Sequence, residues 1–371
     1  MTVSAIGVIF SNMHEETVPE LVRRRTMASI PFGGRYRLID FALSNMVNAG
    51  INTVGLVSSN NYRSLIDHIG SGKDWDLARK DGGVILLPPF SEKNDKLYTT
   101  RLEALSSLTG FLGRRKEKYV VLTDCDGVAK FDIADMIAYH ESKHADITLV
   151  THYGKIGDRS DFMLIDANED GRVVDIKHSP HVEQGTKANI YLNVMVINRE
   201  FLLSIVEDSI AHGFNSFTTD ILVKQFSFLK LYRYDFQGYY GGIDSMTAYY
   251  KHNMDLLDKE VRDELFGSRD IYTKVRDSAP SKYGEEAVVK NSLISDGCVI
   301  VGVVENSIHY RGVKVAKGAF VKDSVIMQDN YIGENTTLNC VITDKNVVIS
   351  DRKNLSGCST LPYFIKKGIR I

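Results

Sequence analysis

The last quarter of this 371-residue chain restricts its fold more than any other part. From Ala287 onward no helical period can be drawn. Apolar pairs recur at short intervals instead: Val288-Val289, Leu293-Ile294, Val299-Ile300 and Val303-Val304. They continue through Val313, Val315, Phe320-Val321, Val325-Ile326, Tyr331-Ile332, Val341-Ile342 and Val347-Val348-Ile349, with Gly, Asn, Asp or Lys at the corners. A repeat of about six residues predicts a parallel β-helix, because each short strand buries its apolar face only by stacking on its equivalent one coil away. A β-sandwich is the alternative, but the hairpin pair Asn-Gly is absent from this stretch.

The region before it is patterned differently. Up to about Tyr250, short apolar runs alternate with helical patterns. Strands are predicted at Ala5–Phe10, Thr53–Val57, Val84–Leu87, Tyr119–Leu122, Asp146–Thr151, Arg172–Lys177 and Asn193–Ile197. Helices are predicted at Arg37–Ala49, Thr99–Gly113, Ile133–His140, Ser216–Lys224 and Met246–Leu257. Such alternation predicts an α/β domain with a mostly parallel, Rossmann-like sheet and helices on both faces. The expected division is residues 1–265 for this domain, a linker over 266–283 that contains Pro280, and the β-helix over 284–371.

Composition narrows the function. Hydrophobic residues make up 43%, enough for a full core, and a net charge of −2 gives no basic excess for nucleic acid. The four cysteines, Cys125, Cys298, Cys340 and Cys358, form no C-x-x-C pair and read as reduced thiols. The start, Met1-Thr2-Val3-Ser4-Ala5, lacks signal-peptide character, and no apolar run has the length of a membrane span. The expectation is a cytoplasmic protein.

The loop after the first strand conflicts with its setting. Phosphate-binding loops at this point are usually rich in glycine, so that backbone N–H groups can close on phosphate oxygens. Here the loop reads Ser11-Asn12-Met13-His14-Glu15-Glu16-Thr17, and no glycine follows until Gly33. Glu15 and Glu16 would repel a phosphate.

Several long segments resemble bacterial ADP-glucose pyrophosphorylases (glucose-1-phosphate adenylyltransferases). They include Pro31-Phe32-Gly33-Gly34-Arg35-Tyr36-Arg37-Leu38-Ile39-Asp40-Phe41 and Asp67-His68-Ile69-Gly70-Ser71-Gly72-Lys73-Asp74-Trp75-Asp76-Leu77. In the C-terminal part they include Asn291-Ser292-Leu293-Ile294-Ser295-Asp296-Gly297, Val304-Glu305-Asn306-Ser307 and Val321-Lys322-Asp323-Ser324. The resemblance implies a nucleotidyltransferase domain followed by a β-helix of left-handed type. It also implies a reaction in which glucose 1-phosphate attacks the α-phosphorus of ATP. That chemistry needs a triphosphate cradle, Mg²⁺ held by carboxylates and a cation on the sugar phosphate.

Carried over residue by residue, these needs are poorly met. An ungapped match back from Pro31 places Asn12 to Val18 on the family's Gly-Gly-x-Gly-x-Arg-Leu loop, and its Lys-Pro on Met27-Ala28. The first metal aspartate matches Asp126, in Asp124-Cys125-Asp126-Gly127, and either keeps a metal contact or is, with Asp124, a solvated strand end. Gly242 stands at the second metal aspartate. Asp244 is two residues on, on the same strand face but roughly 6.6 Å away. The family's Gly-Thr-Ala-Asp aligns with the bulkier Thr100-Arg101-Leu102-Glu103. Lys177 matches the sugar-phosphate lysine, but its neighbours do not. The positions linked to anionic effectors remain basic, as Arg24, Arg25, Arg35 and Arg37, where guanidinium forks suit phosphate or make interface ion pairs. His309 is the lone candidate for an alternative β-helix acyltransferase, and it reads as a coil corner.

The resemblance then implies a regulatory subunit of the GlgD type, deficient in catalysis and holding no Mg²⁺ of its own. The expected partners are a catalytic ADP-glucose pyrophosphorylase subunit, in a heterotetramer, and an anionic sugar-phosphate effector. No nucleic acid or membrane partner is expected. An active adenylyltransferase with a divergent loop and a free-standing sugar-phosphate sensor are the alternatives.

Overall fold

A computed structural model describes residues 3–87, 98, 100–157, 161–183 and 185–371. The chain forms two compact units. The first contains the chain up to Met13, Arg25–Ala28 and Phe41–Tyr240; the second contains His14–Arg24, Ser29–Asp40 and Gly241–Ile371.

Nine strands among the described residues form the sheet of the first unit: β1 (Ala5–Phe10), β2 (Thr53–Val57), β3 (Gly83–Leu87), β4 (Tyr119–Asp124), β5 (Ile147–Lys155), β6 (Met163–Ala167), β7 (Val173–His178), β8 (Lys187–Asn198) and β9 (Leu231–Asp235). β3, β2, β1 and β4 lie side by side and parallel, β1 pairing β2 through Gly7↔Val54 and β4 through Phe10↔Asp124. These strands are buried along their whole length where they are central, which is why β1 and β4 read as continuous apolar runs rather than alternating ones. Beyond this parallel core, β8 runs antiparallel against β4, β5 and β6. The sequence reading overlooked β6 and β9. Both are short, and β9 alternates Tyr232, Arg233 and Tyr234 with no apolar run to mark it.

Helix boundaries follow local chemistry. The helix predicted from Thr99 begins at Arg101, because Thr100 and Glu103 form a reciprocal capping box. It stops at Ser107 and resumes at Thr109–Gly113. Thr99 itself lies outside the described residues. Ser216 caps the element at Phe217–Val223, which is π-helical. Helices at Arg63–Ile69, Arg199–Ala211 and Lys259–Phe266 were not anticipated. The last of these carries structured helix to Phe266, the first residue of the expected linker.

The second unit contains three parallel five-stranded sheets, the arrangement of a hexapeptide-repeat, left-handed β-helix. One face stacks Val288–Lys290, Val303–Glu305, Phe320–Lys322, Thr337–Asn339 and Asn354–Ser356. Its interior is Cys298, Ile300, Val304, Val315, Val321, Ile326, Leu338 and Ile349, all almost wholly buried. The corners are turned by residues with positive φ: Asn291, Asn306 and Asp323 follow successive strands of one face. Asn and Asp tolerate this conformation better than other side chains do. The serine after each corner then ties coil to coil. Ser292 Oγ accepts from the Ser307 N–H at 3.1 Å, Ser307 Oγ from the Ser324 N–H at 3.1 Å, and Ser324 Oγ from the Val341 N–H at 3.1 Å. The repeated Asn/Asp-Ser dipeptides in the sequence are this ladder.

Candidate functional site

The sheet of the first unit has strand order β3-β2-β1-β4, so the direction of winding reverses between β1 and β4. In open α/β sheets ligands bind outside the carboxyl ends of the strands at such a reversal. Those ends are Phe10 and Asp124, which pair in register. The candidate site is therefore located by topology, and the side chains around it decide what it can do.

Arg101 fills its centre. It is the first residue of the capped helix, and its Nη2 lies 2.5 Å from Asp124 Oδ2, with the two side chains 12% and 0% exposed. Its Cζ sits 5.4 Å over the Phe10 ring, and it also faces the Tyr191 hydroxyl. Burial works against the guanidinium charge, but Asp124, Tyr191 and Asp126 outweigh it and hold the proton more tightly than usual. Burial likewise pushes the Tyr191 hydroxyl up. The second carboxylate, Asp126, is 4% exposed and accepts a 2.7 Å hydrogen bond from Asn193 Nδ2. Asn193 reaches it because β8 is irregular between Tyr191 and Met195, where Asn193 has φ of 57°. Strand irregularities of this kind re-aim side chains.

Asp124 and Asp126 are thus buried and partnered, which overturns the solvated strand end. They do not fit Mg²⁺ either. A divalent site of this class needs carboxylate oxygens free to face the metal and substrate phosphates. Here Arg101 and Asn193 engage one carboxylate each, and the second aspartate of the family pattern is Gly242. Among the described residues no cluster of three His, Cys, Asp or Glu side chains is arranged to hold a metal. Asp244 lies beyond the strand Tyr240–Gly242, so the shared strand face expected for it does not form.

The loop after β1 is closed by its own hydrogen bonds. Asn12 Oδ1 accepts from the Ser11 hydroxyl at 2.9 Å, the Ser58 hydroxyl at 3.1 Å and the Ser59 N–H at 2.9 Å. Its Nδ2 donates to Asn60 Oδ1 at 2.8 Å. A side-chain amide therefore occupies two hydroxyls and one backbone donor, the last just beyond β2. Met27 and Ala28, at the family's Lys-Pro, are completely buried, and the Ala28 N–H is bonded to the Ser11 carbonyl. Sequence reasoning found the lost glycines but not this replacement network, and it treated Arg101 only as added bulk.

The second unit holds the Phe-Gly-Gly segment. Gly33 has φ of 59° and Gly34 φ of 85°. A Cβ on Gly33 would lie 2.8 Å from Leu256 Cδ1, and one on Gly34 would lie 2.7 Å from Ser295 Oγ. Backbone conformation and close approach both demand glycine at these positions. The Gly33 N–H donates to Asn253 Oδ1 at 3.0 Å, which also accepts from the Tyr310 hydroxyl at 3.0 Å. The segment is thus tied to the helix Met246–Asp255 and to the β-helix within one unit. Beside it lies a cavity of about 350 Å³ lined by Arg35, Tyr36, Phe266, Ser292, Ser295 and Asp296 among others. Arg35 Cζ is 5.6 Å from the Tyr36 ring, which stacks on Phe266 at 5.1 Å.

The four basic positions separate by exposure. Arg24 and Arg35 are exposed, whereas Arg25 and Arg37 are 4% and 7% exposed. Only the first two present a guanidinium to solvent, and only Arg35 lines the cavity. Lys177 lies on β7 and is held by Asp166 at 3.1 Å and Asp175 at 3.2 Å. Its hydrogen bonds to these carboxylates raise its pKa, so its charge is committed within the β6–β7 hairpin. His309 is no coil corner. It lies on the strand Ile308–His309, is completely buried, and burial pushes its pKa down to about 3. Three of the cysteines are buried, Cys358 is exposed, and all four are free. Among the described residues no helix is long and apolar enough to cross a membrane.

Comparison with known proteins agrees with this two-part architecture. Residues 19–259 match the nucleotidyl transferase family, and residues 278–357 match the GlmU-like C-terminal hexapeptide family. The chain is 32% identical over 365 residues to the glycogen biosynthesis protein GlgD of Bacillus subtilis (strain 168), covering 98% of this chain and 96% of that protein. It is 33% identical over 337 residues to a glucose-1-phosphate adenylyltransferase of Bacillus cereus (strain Q1), covering 89% of each. A glucose-1-phosphate adenylyltransferase of Clostridium perfringens (strain SM101 / Type A) is 33% identical over 332 residues, covering 88% of this chain and 85% of that enzyme. The chain belongs to the nucleotidyl transferase family that contains the glucose-1-phosphate adenylyltransferases and GlgD.

Proposed function

We propose that this chain acts in glycogen biosynthesis as a regulatory subunit of glucose-1-phosphate adenylyltransferase, itself deficient in catalysis. The observation that carries this reading is the Arg101–Asp124 ion pair at the winding reversal of the sheet, where a catalytic relative needs carboxylates for Mg²⁺. Losing one preorganised electrostatic group commonly lowers a rate about 100- to 1,000-fold. Here the glycine cradle, the Lys-Pro lysine and a metal carboxylate are all absent. The partner is a catalytic adenylyltransferase subunit in a heterotetramer, and the setting is the cytoplasm. Regulation operates by biasing the partner's conformation through binding free energy shared between sites. The effector is an anionic sugar phosphate that meets Arg35 in the cavity beside Phe32-Gly33-Gly34. Arg25 and Arg37, being buried, do not present their guanidinium groups to the ligand.

The test compares ADP-glucose formation by the purified chain, by a catalytic subunit, and by their mixture. The expected result is a rate for this chain at least about 1,000-fold below that of the catalytic subunit. The mixture should differ from the catalytic subunit in rate or in effector response. Turnover by this chain alone at the catalytic subunit's rate would establish an active enzyme with a divergent loop. No effect on mixing, with no co-elution, would leave a free-standing sensor. In the mixture, Arg35→Ala should weaken the effector response about tenfold, as expected for loss of one charge-assisted contact. An unchanged dose-response curve would remove Arg35 from the effector site.

A further inference from the structure

We infer that the Arg101 guanidinium is a chain-borne replacement for the divalent cation at the carboxyl end of the central sheet, and that it makes this unit indifferent to divalent metals. The inference deepens the regulatory reading and rests on it for its meaning. Its test reads metal binding and stability without substrate or partner, so either can fail alone.

Two buried carboxylates two residues apart, Asp124 and Asp126, need a compensating charge. In a metal-dependent site that charge arrives with the substrate and leaves with the product. Here it is built into the fold. The capping box of Thr100 and Glu103 fixes the start of the helix and so places Arg101. The guanidinium is enclosed by the Phe10 ring on one side, Asp124 at 2.5 Å and the Tyr191 hydroxyl. Asn193 supplies the second compensation, an amide donor to Asp126. A divalent cation entering this point would meet a fixed positive charge, with one oxygen of each carboxylate already accepting from Arg101 or Asn193. Arginine does not lose its proton in proteins, so this positive charge does not come and go with a bound metal. The bulk that replaces the family's small Gly-Thr-Ala-Asp segment is thereby given a physical role.

The experiment uses the full chain, with Mn²⁺ as the probe because its electron paramagnetic resonance reports binding directly. Melting curves are recorded in Mg²⁺, in Mn²⁺ and in KCl of equal ionic strength. The unsubstituted chain should bind no Mn²⁺ that Asp126→Asn abolishes, and its melting temperature should be the same in all three salts. Arg101→Met should melt at lower temperature in KCl and recover by several degrees in Mn²⁺, with Mn²⁺ affinity improved about tenfold or more. Mn²⁺ binding by the unsubstituted chain that Asp126→Asn removes would overturn the inference. So would a folded Arg101→Met chain whose melting ignores the metal. If Arg101→Met folds only with Mn²⁺ present, the inference is supported. If it folds in neither condition, the double variant Arg101→Met/Asp124→Asn decides. Stable folding of that chain supports charge compensation at this point, and its failure overturns it.

Discussion

Replacing Asp124 with alanine should destabilise the first unit by about 3–5 kcal/mol, the range for removing one partner of a buried ion pair. Arg101 would be left charged, 12% exposed and without its nearest carboxylate. Its attraction to Asp126 is the weaker of the two carboxylate contributions. A loss of that size is a large share of the roughly 5–15 kcal/mol typical of folded domains. Urea unfolding followed by circular dichroism measures it. The double variant Arg101→Met/Asp124→Leu should recover most of the loss, because well-packed apolar pairs replace buried ion pairs with little penalty. The cycle of single and double variants then gives the coupling directly. A loss below about 1 kcal/mol for Asp124→Ala would mean that the pair behaves like an exposed salt bridge and does not close the site.

The second large effect is on acid stability. His309 is buried with neither ring nitrogen hydrogen-bonded, and burial lowers its pKa from 6.5 to about 3. His140 is lowered to about 4, chiefly by burial, although Asp146 and Glu141 pull the other way. Its Nδ1 lies 2.8 Å from the Thr148 hydroxyl, and Tyr119 meets its ring edge-on at 5.2 Å. A histidine that binds its proton less readily when folded takes up protons mainly in the unfolded chain. Stability is therefore full above pH 6.5 and falls as pH drops below it, flattening for His140 near pH 4 and for His309 near pH 3. Each group contributes a slope of about 1.4 kcal/mol per pH unit, so on the order of 3 kcal/mol each is lost by pH 4. Urea midpoints between pH 7 and pH 4 should fall steeply for the unsubstituted chain. They should fall less for His309→Leu, which titrates nothing at that position. Equal slopes for the two chains would show that His309 is hydrated or protonated in the folded state.

The architecture was legible because its signals are local. The six-residue recurrence after Ala287 needed no tertiary information, and it became three stacked sheets. The strands Ala5–Phe10 and Thr53–Val57 match their expected bounds to the residue, since buried parallel strands are continuous apolar runs bounded by turns. The missed strand β9 carries no such run, the apolar run of β6 is only Phe162 to Ile165 before Asp166, and the helix Arg199–Ala211 was masked by the apolar stretch that precedes it. The start of the helix at Arg101 could have been found. Thr100-Arg101-Leu102-Glu103 is a T-x-x-E capping box, a helix start written in the local spacing.

The candidate site was legible only as a set of losses. That the loop after the first strand cannot cradle phosphate through glycines follows from residue types alone, and so does Gly242 in place of an aspartate. What took their place depends on contacts between residues far apart in sequence: Asn12 with Asn60, Arg101 with Asp124 across 23 residues, and Asn193 with Asp126 across 67. No local pattern encodes such pairs. The same is true of burial, which separates Arg35 from Arg37 two positions away and turns His309 from a supposed corner into a neutral core residue. The sequence by itself determined the two architectures and the absence of a glycine cradle, because periodicity and residue identity are properties of short segments. The tertiary structure alone decided the state of the remaining charges, because the free energy of a buried carboxylate, guanidinium or imidazole is set by whichever groups the fold brings beside it.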